Sequence, residues 1–136
     1  MGVIADTSIW IDLERGFLRA ADLEAAVEGD DVFVAPVTFA EMEYGFRRAR
    51  GREQRSQRAA ALAAIKARPC LAITDQTGEI FGRVAADLDS SGRPSKHRTQ
   101  DLWIASLALQ HGFKVLTQNR RDFDDIPGLT VLSLSP

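Results

Sequence analysis

The chain has 136 residues, of which 45% are hydrophobic and 26% are charged, and its formal net charge at pH 7 is −2. This length and balance are typical of one globular core, so we predict a single domain over residues 1–136. The nearly neutral charge argues neither for nor against a nucleic-acid partner, because a local basic patch is compatible with it.

Two further features of the sequence bear on where the protein works. The N-terminus has no basic segment ahead of a long apolar run, and Asp6 and Asp12 interrupt the first apolar stretch. We therefore expect neither a signal peptide nor a membrane-spanning helix. The single cysteine, Cys70, excludes an intrachain disulfide and fits a reducing cytoplasm. Cys70 itself is predicted to be a small buried hydrophobic residue.

Strands and helices are predicted to alternate along the chain. Short apolar runs, partly β-branched, predict buried strands at residues 3–5, 32–34, 70–74, 113–117 and 129–134. Helix-favouring stretches bounded by capping residues, glycine or proline predict helices from residue 6 onward and at residues 18–28, 36–50, 52–68, 75–92 and 99–112. The polar segments 91–98 and 118–128 are predicted loops. This alternation predicts a three-layer α/β/α fold with a central parallel sheet flanked by helices.

Acidic residues recur where such a sheet binds ligands, beyond the carboxyl ends of its strands. Asp6 follows the first predicted strand, Asp75 the third and Asp122 the fourth. Asp101 lies in the first turn of a helix with an apolar continuation, and Glu41 is embedded in an apolar stretch. Each has an ordinary alternative: Asp6 as a helix cap, Asp101 as a complement to the helix dipole, and the others as solvated helix or turn residues.

Taken together, the acidic residues indicate a cation site. Crowded carboxylates repel one another, and protonation or a cation must relieve the repulsion. Oxygen-only donors favour Mg²⁺ or Mn²⁺, whereas His97 and His111 lack the spacing of a zinc site. Periodicity places Glu41 and Glu43 on nearly opposite helix faces, so at most one of them faces a shared site.

Four motifs occur in order along nearly the whole chain: ADTSIWIDLE, VTFAEMEYG, DLWIASLA and VLTQNRRDFDDIPGL. This set resembles the PIN-domain ribonucleases, specifically the VapC-type toxins of bacterial toxin–antitoxin pairs. The resemblance selects Glu41, with Gly45 matching, over Glu43. It implies catalytic and metal-binding roles for Asp6, Glu41, Asp101 and Asp122, with supporting roles for Thr7, Ser8, Thr117 and Asn119. Relatives place the last acid at the position of either Asn119 or Asp122, and Asp122 is our choice because Asn119 is neutral.

The resemblance also implies an activity and partners. The protein is expected to be the toxin of a type II toxin–antitoxin system, a Mg²⁺-dependent endoribonuclease for which Mn²⁺ is a substitute, acting in the cytoplasm. Expected partners are an RNA substrate, a cognate VapB-type antitoxin and a second copy of the chain, in a homodimer and a toxin–antitoxin hetero-oligomer. The basic stretch after Glu41 and the loop before Asp101 supply RNA-binding candidates, namely Arg47, Arg48, Arg50 and Arg98.

Other readings of the same residues stay open. A receiver-like module would use a Mg²⁺-binding aspartate with Asp75 as phosphoacceptor, but it needs an acidic pair after the first strand, where Thr7 follows Asp6. An aspartyl phosphatase needs a second acid where Ser8 stands. A PIN fold that only binds RNA or protein is a third alternative. Local sequence leaves open the RNA target and the number of metal ions.

Overall fold

The computed structural model describes residues 1–134, which form four strands and six α-helices. The strands are β1 (Gly2–Ala5), β2 (Asp31–Phe33), β3 (Lys114–Thr117) and β4 (Val131–Ser133). The helices are α1 (Thr7–Arg15), α2 (Ala20–Val27), α3 (Pro36–Arg47), α4 (Gly51–Lys66), α5 (Asp75–Ser90) and α6 (Thr99–His111), and a 3₁₀ turn covers Arg120–Asp122. Within this described part, no helix is both long enough and apolar enough to cross a membrane.

The sheet is wholly parallel, with strand order β2-β1-β3-β4. Side chains of β1 alternate between its two faces. Ile4 packs into a cluster with residues of α5 and α6, whereas Val3 and Ala5 pack with residues of α1, α2 and α4. Each face of the sheet is therefore covered by helices, which confirms the predicted three-layer α/β/α architecture.

The two central strands, β1 and β3, end side by side. Ala5 pairs with Leu116, so the next residues, Asp6 and Thr117, are neighbours at the carboxyl edge of the sheet. The backbone N–H of Asp6 donates to the Leu116 carbonyl at 3.0 Å, which holds Asp6 at this edge. Sequence-distant side chains meet here because the strands are parallel and adjacent.

The strand predicted at residues 70–74 is wrong. Only Cys70 pairs with the sheet, in an isolated parallel bridge to Val34. Val34 donates to the Pro69 carbonyl and accepts from the Leu71 N–H, but the next donor in the ladder would be residue 36, and Pro36 has no N–H. Pairing therefore stops after one residue.

Two sequence predictions change with the loss of that strand. Cys70 was expected to be buried, but it is exposed, beside its isolated bridge to Val34. Asp75 does not follow a strand; it is the exposed first residue of α5, after the N-cap Thr74.

Candidate active site

Asp6 is the most buried acid at the carboxyl edge of the sheet, with 4% of its surface exposed. Its extended backbone ends β1 and makes it the N-cap of α1. One carboxylate oxygen accepts from the Ser8 N–H at 3.0 Å and from the Ser8 hydroxyl. The other accepts from the Thr117 hydroxyl at 2.8 Å. Asp6 is thus a helix cap that also lies at the carboxyl edge of the sheet, so its capping role is compatible with the predicted role in a cation site.

Neutral donors surround the Asp6 carboxylate. Burial raises the pKa of Asp6, and the hydrogen bonds from Ser8 and Thr117 oppose part of that rise. Among residues 1–134 no basic side chain forms a salt bridge with Asp6. Hydroxyl and amide donors orient the carboxylate without cancelling its charge, which leaves it able to attract a cation.

Glu41 projects from α3 toward the start of α1. The Thr7 hydroxyl donates to Glu41 Oε1 at 3.0 Å, and the hydroxyls of Thr7 and Thr38 are 3.0 Å apart. Because Thr7 has one hydroxyl proton and gives it to Glu41, it accepts from Thr38. Burial raises the pKa of Glu41, Thr7 counteracts this, and the charge of Asp6 raises the pKa further.

Glu43 faces away from the site and pairs with Arg47 at 2.8 Å. The two glutamates therefore lie on different sides of α3, as periodicity predicted. The side chain that faces Asp6 is that of Glu41.

Asp101 lies in the first turn of α6 and is half-buried. Its pKa is raised from 3.8 to about 6, first by burial and then by the charges of Asp122 and Asp6, with a smaller contribution from Glu41. Arg98 opposes part of this rise. The other three acids thus each lie within electrostatic range of Asp101.

Asp122 ends the 3₁₀ turn that follows β3, and its side chain is half-buried. Its backbone N–H donates to the Asn119 carbonyl at 3.0 Å, which closes the turn. Asn119 is exposed, and its own N–H donates to the Thr117 hydroxyl at 2.9 Å. Thr117 therefore links the turn that carries Asp122 to the carboxylate of Asp6.

Arg98 and Asp125 form a bidentate ion pair beside the site, with distances of 2.9 Å and 2.7 Å. Arg98 also donates to the backbone carbonyl of Asp122 at 2.8 Å. These bonds raise the pKa of the Arg98 guanidinium and lower that of the Asp125 carboxyl. The RNA contact predicted for Arg98 stays a prediction, and it would compete with three existing hydrogen bonds.

The other predicted RNA-binding arginines lie on the surface at the end of α3 and the start of α4. Arg47 pairs with Glu43, Arg48 lies 5.9 Å from the centre of the Tyr44 ring, and Arg50 is exposed at the N-cap of α4. The exposed contacts of Arg47 and Arg48 are weak and exchangeable.

Sequence reasoning missed two residues that support the acids, Thr38 and Asp125. Thr38 is fully buried and stands behind Thr7. Asp125 is one of several acids in the run DFDD, and nothing local distinguishes it from Asp124. A helical spacing of three from Thr38 to Glu41 was the one available signal, since such residues share a helix face.

The donor set fits a hard divalent cation. All four acids present carboxylate oxygens, the ligand type that Mg²⁺ and Mn²⁺ prefer, and no thiol or imidazole takes part. The raised pKa values of Asp6, Glu41 and Asp101 show that the charges of these three acids are incompletely compensated. In the described range 1–134, no three acidic, histidine or cysteine side chains are grouped tightly enough to chelate one ion as they stand. Ligation would therefore need side-chain adjustment or water-mediated contacts.

Comparison with known proteins identifies the class of this site. The PIN domain family matches residues 3–129. Ribonuclease VapC5 of Mycobacterium tuberculosis is 33% identical over 125 residues, covering 92% of this chain and 87% of the relative. Ribonuclease VapC1 of Rickettsia felis is 31% identical over 140 residues, covering 99% and 98%. The chain therefore belongs to the PIN domain family, within its VapC ribonucleases.

Solved structures agree with this assignment. VapBC-5 of Mycobacterium tuberculosis, a member of the VapBC family of toxin–antitoxin systems, matches with a TM-score of 0.77 and 30% identity, covering 97% of this chain and 96% of that chain. VapBC-1 of nontypeable Haemophilus influenzae matches with a TM-score of 0.81 and 25% identity over the full length of both chains.

Proposed function

We propose that this protein is the toxin of a type II toxin–antitoxin system and acts as a divalent-metal-dependent endoribonuclease in the cytoplasm. One observation carries the proposal: four carboxylates of a VapC-family chain lie at one sheet edge, and three of them have raised pKa values. Such a site attracts cations and, through them, phosphates. The single domain predicted over residues 1–136 would carry all four acids.

Each acid has a proposed role. Asp6 and Asp101 would bind Mg²⁺, or Mn²⁺ in its place, directly; Glu41 and Asp122 would bind through water or orient the attacking water. When bound, the cation supplies charge neutralisation at the phosphate and an acidified water. Ser8 and Thr117 hold the two oxygens of Asp6, and Thr7 holds Glu41, so these side chains are oriented before substrate arrives.

RNA would be held by its phosphates rather than read by its bases at the basic surface of Arg47, Arg48 and Arg50. Arginine side chains suit this role because they bind phosphate oxygens bidentately. An antitoxin of VapB type is the proposed partner, because solved relatives of at least 25% identity are VapBC complexes. The predicted homodimer would be part of the same assembly.

The decisive test is cleavage of a mixed cellular RNA pool by purified protein without antitoxin, in Mg²⁺, Mn²⁺ or EDTA. We expect discrete cuts that need metal and are lost in both Asp6→Asn and Asp101→Asn, by at least about 10²-fold. Asp75→Asn is the matched control, since this exposed acid lies outside the site and should cleave like the wild type. Cuts that persist in EDTA or in both site variants would refute the proposed site.

Metal binding is tested separately by thermal unfolding. Mg²⁺ binds the folded protein and relieves repulsion between carboxylates, so it should raise the Tm of the wild type and of Asp75→Asn. The double variant Asp6→Ala/Asp101→Ala should show no such rise. An equal rise in the double variant would place the cation elsewhere.

A further inference from the structure

One ion pair joins the two segments that carry Asp101 and Asp122. Arg98 directly precedes α6, and Asp101 is the third residue of that helix. The guanidinium reaches across to the loop after β3, where it binds both carboxylate oxygens of Asp125 and the backbone carbonyl of Asp122. Its three hydrogen bonds therefore all end on one loop, at Asp122 and Asp125.

Charge repulsion favours separation of the loop that carries Asp122 from α6. Asp122 and Asp101 repel each other, and this repulsion is the largest charge effect on Asp101. Phe123 is fully buried and Ile126 is 3% exposed, and both belong to an apolar cluster that includes residues of α6 and of the sheet, so apolar contacts anchor the loop. Beside these apolar contacts, the positive charge of Arg98 offsets part of the repulsion between the acids.

The geometry of the pair is more restrictive than that of a surface salt bridge. Arg98 and Asp125 side chains are 19% and 26% exposed, and two parallel N–H···O bonds fix their relative orientation. A lysine would keep the charge but lose this planar, two-point contact. Arg120 and Asp124, in the same loop, form instead an ion pair with one N···O contact of 3.1 Å between side chains that are about half exposed.

We infer that Arg98 and Asp125 are positioning residues, which hold Asp122 at its working distance from Asp101. This inference rests on the proposed function and deepens it, because it gives Arg98 a role other than binding RNA. Asp125 touches neither substrate nor metal in this scheme; it acts by fixing the guanidinium that binds the Asp122 backbone.

Two neighbouring substitutions test the inference. Asp125→Asn removes the ion pair, and Asp124→Asn makes the same chemical change one residue earlier, in the exposed pair with Arg120. We expect Asp125→Asn to lower Mn²⁺ affinity, measured by calorimetry, and kcat by about 10- to 100-fold, with little change in KM for RNA. Asp124→Asn should match the wild type in all three.

A gentler variant covers the case in which Asp125→Asn fails to fold. Arg98→Lys retains the charge, and we expect it to keep a cooperative thermal transition while losing Mn²⁺ affinity and kcat in the same direction. In a double-mutant cycle, Asp125→Asn should cost little in the Asp122→Asn background, because the side chain that it positions is already gone.

Specific results would overturn the inference. A raised KM with unchanged Mn²⁺ affinity in Arg98→Lys would make Arg98 an RNA-binding residue. Equal losses in Asp124→Asn and Asp125→Asn would show a general effect of loop charge. The calorimetric measurement needs no RNA. A wild-type protein that binds Mn²⁺ but cleaves no RNA would therefore refute the proposed nuclease activity, and the effect of Arg98 and Asp125 on Mn²⁺ affinity could still be tested.

Discussion

The two halves of the site hold their acids by different means. Asp6 and Glu41 are held by hydroxyl and amide groups of Thr7, Ser8 and Thr117. Asp101 and Asp122 lie beside a guanidinium, and they are more exposed to solvent than Asp6. One half is organised by neutral donors and the other by charge.

This difference shows that a carboxylate can be oriented without its charge being compensated. Neutral donors fix a carboxylate and leave its charge available to a cation, at the expense of a raised pKa in a buried setting. A nearby guanidinium lowers the electrostatic cost of bringing acids together, but it competes with a metal ion for the negative charge of those acids. The hydroxyl groups around Asp6 and Glu41 are thus expected to determine where a metal binds. Arg98, beside Asp101 and Asp122, is expected to reduce repulsion between the acids when no metal is bound.

Among the hydroxyl groups that hold the acids, the largest effect is expected from removing that of Thr117. Thr117→Val leaves one buried oxygen of Asp6 without its donor and the Asn119 N–H without its acceptor. We expect a loss of about 1–3 kcal/mol in the free energy of unfolding and of about 10- to 100-fold in kcat. Thr117→Ser, which keeps the hydroxyl, should restore most of both. If serine proves as damaging as valine, the effect is one of packing rather than of hydrogen bonding.

A smaller effect is expected in the pH dependence of the free energy of unfolding, through Asp101. The pKa of Asp101 is raised from 3.8 to about 6, so between these values the folded protein binds more protons than the unfolded chain. Without metal, the free energy of unfolding contributed by Asp101 therefore falls as pH rises through this window. Asp125, whose pKa is lowered, acts in the opposite direction and below pH 3.8.

Asp101→Asn should remove this dependence. Because solvent screens a half-buried group, we expect the metal-free variant to be more stable than the wild type by about 1 kcal/mol at pH 7.5. The two proteins should converge near pH 4, as measured by urea unfolding in EDTA. Parallel stability curves for the two proteins would contradict the raised pKa of Asp101.

The smallest effect is expected one bond further from the acids, at Thr38. Thr38→Val removes the hydroxyl that donates to Thr7 while preserving the side-chain shape. We expect a drop in kcat of a few-fold and a loss of about 1 kcal/mol in stability. Thr77→Val is the matched control, since Thr77 is also fully buried and hydrogen-bonded, but to Gln110 between α5 and α6. It should lose stability without losing kcat per folded molecule.

The layer architecture could be predicted from local sequence. Apolar β-branched runs and capped amphipathic stretches express preferences that act within a few residues. The failure at residues 70–74 shows the limit of such preferences, because a strand needs a partner. There the neighbouring segment of the same chain continues from Val34 to Pro36, which cannot donate the next hydrogen bond.

The acids themselves were also visible in the sequence, since each stands beside a strand end or inside an apolar helix, where an unexplained charge is costly. Of the side chains that hold them, the resemblance named Thr7, Ser8 and Thr117, whereas Thr38 and Asp125 were missed and Arg98 was predicted only to bind RNA. Arg98 and Asp125 are 27 residues apart, and Thr117 and Asp6 are 111 apart. Such pairs come together only when parallel strands and their crossover helices set the distances between segments. For that reason the local pattern located the acids of this protein, whereas the tertiary structure decided which distant side chains contact them.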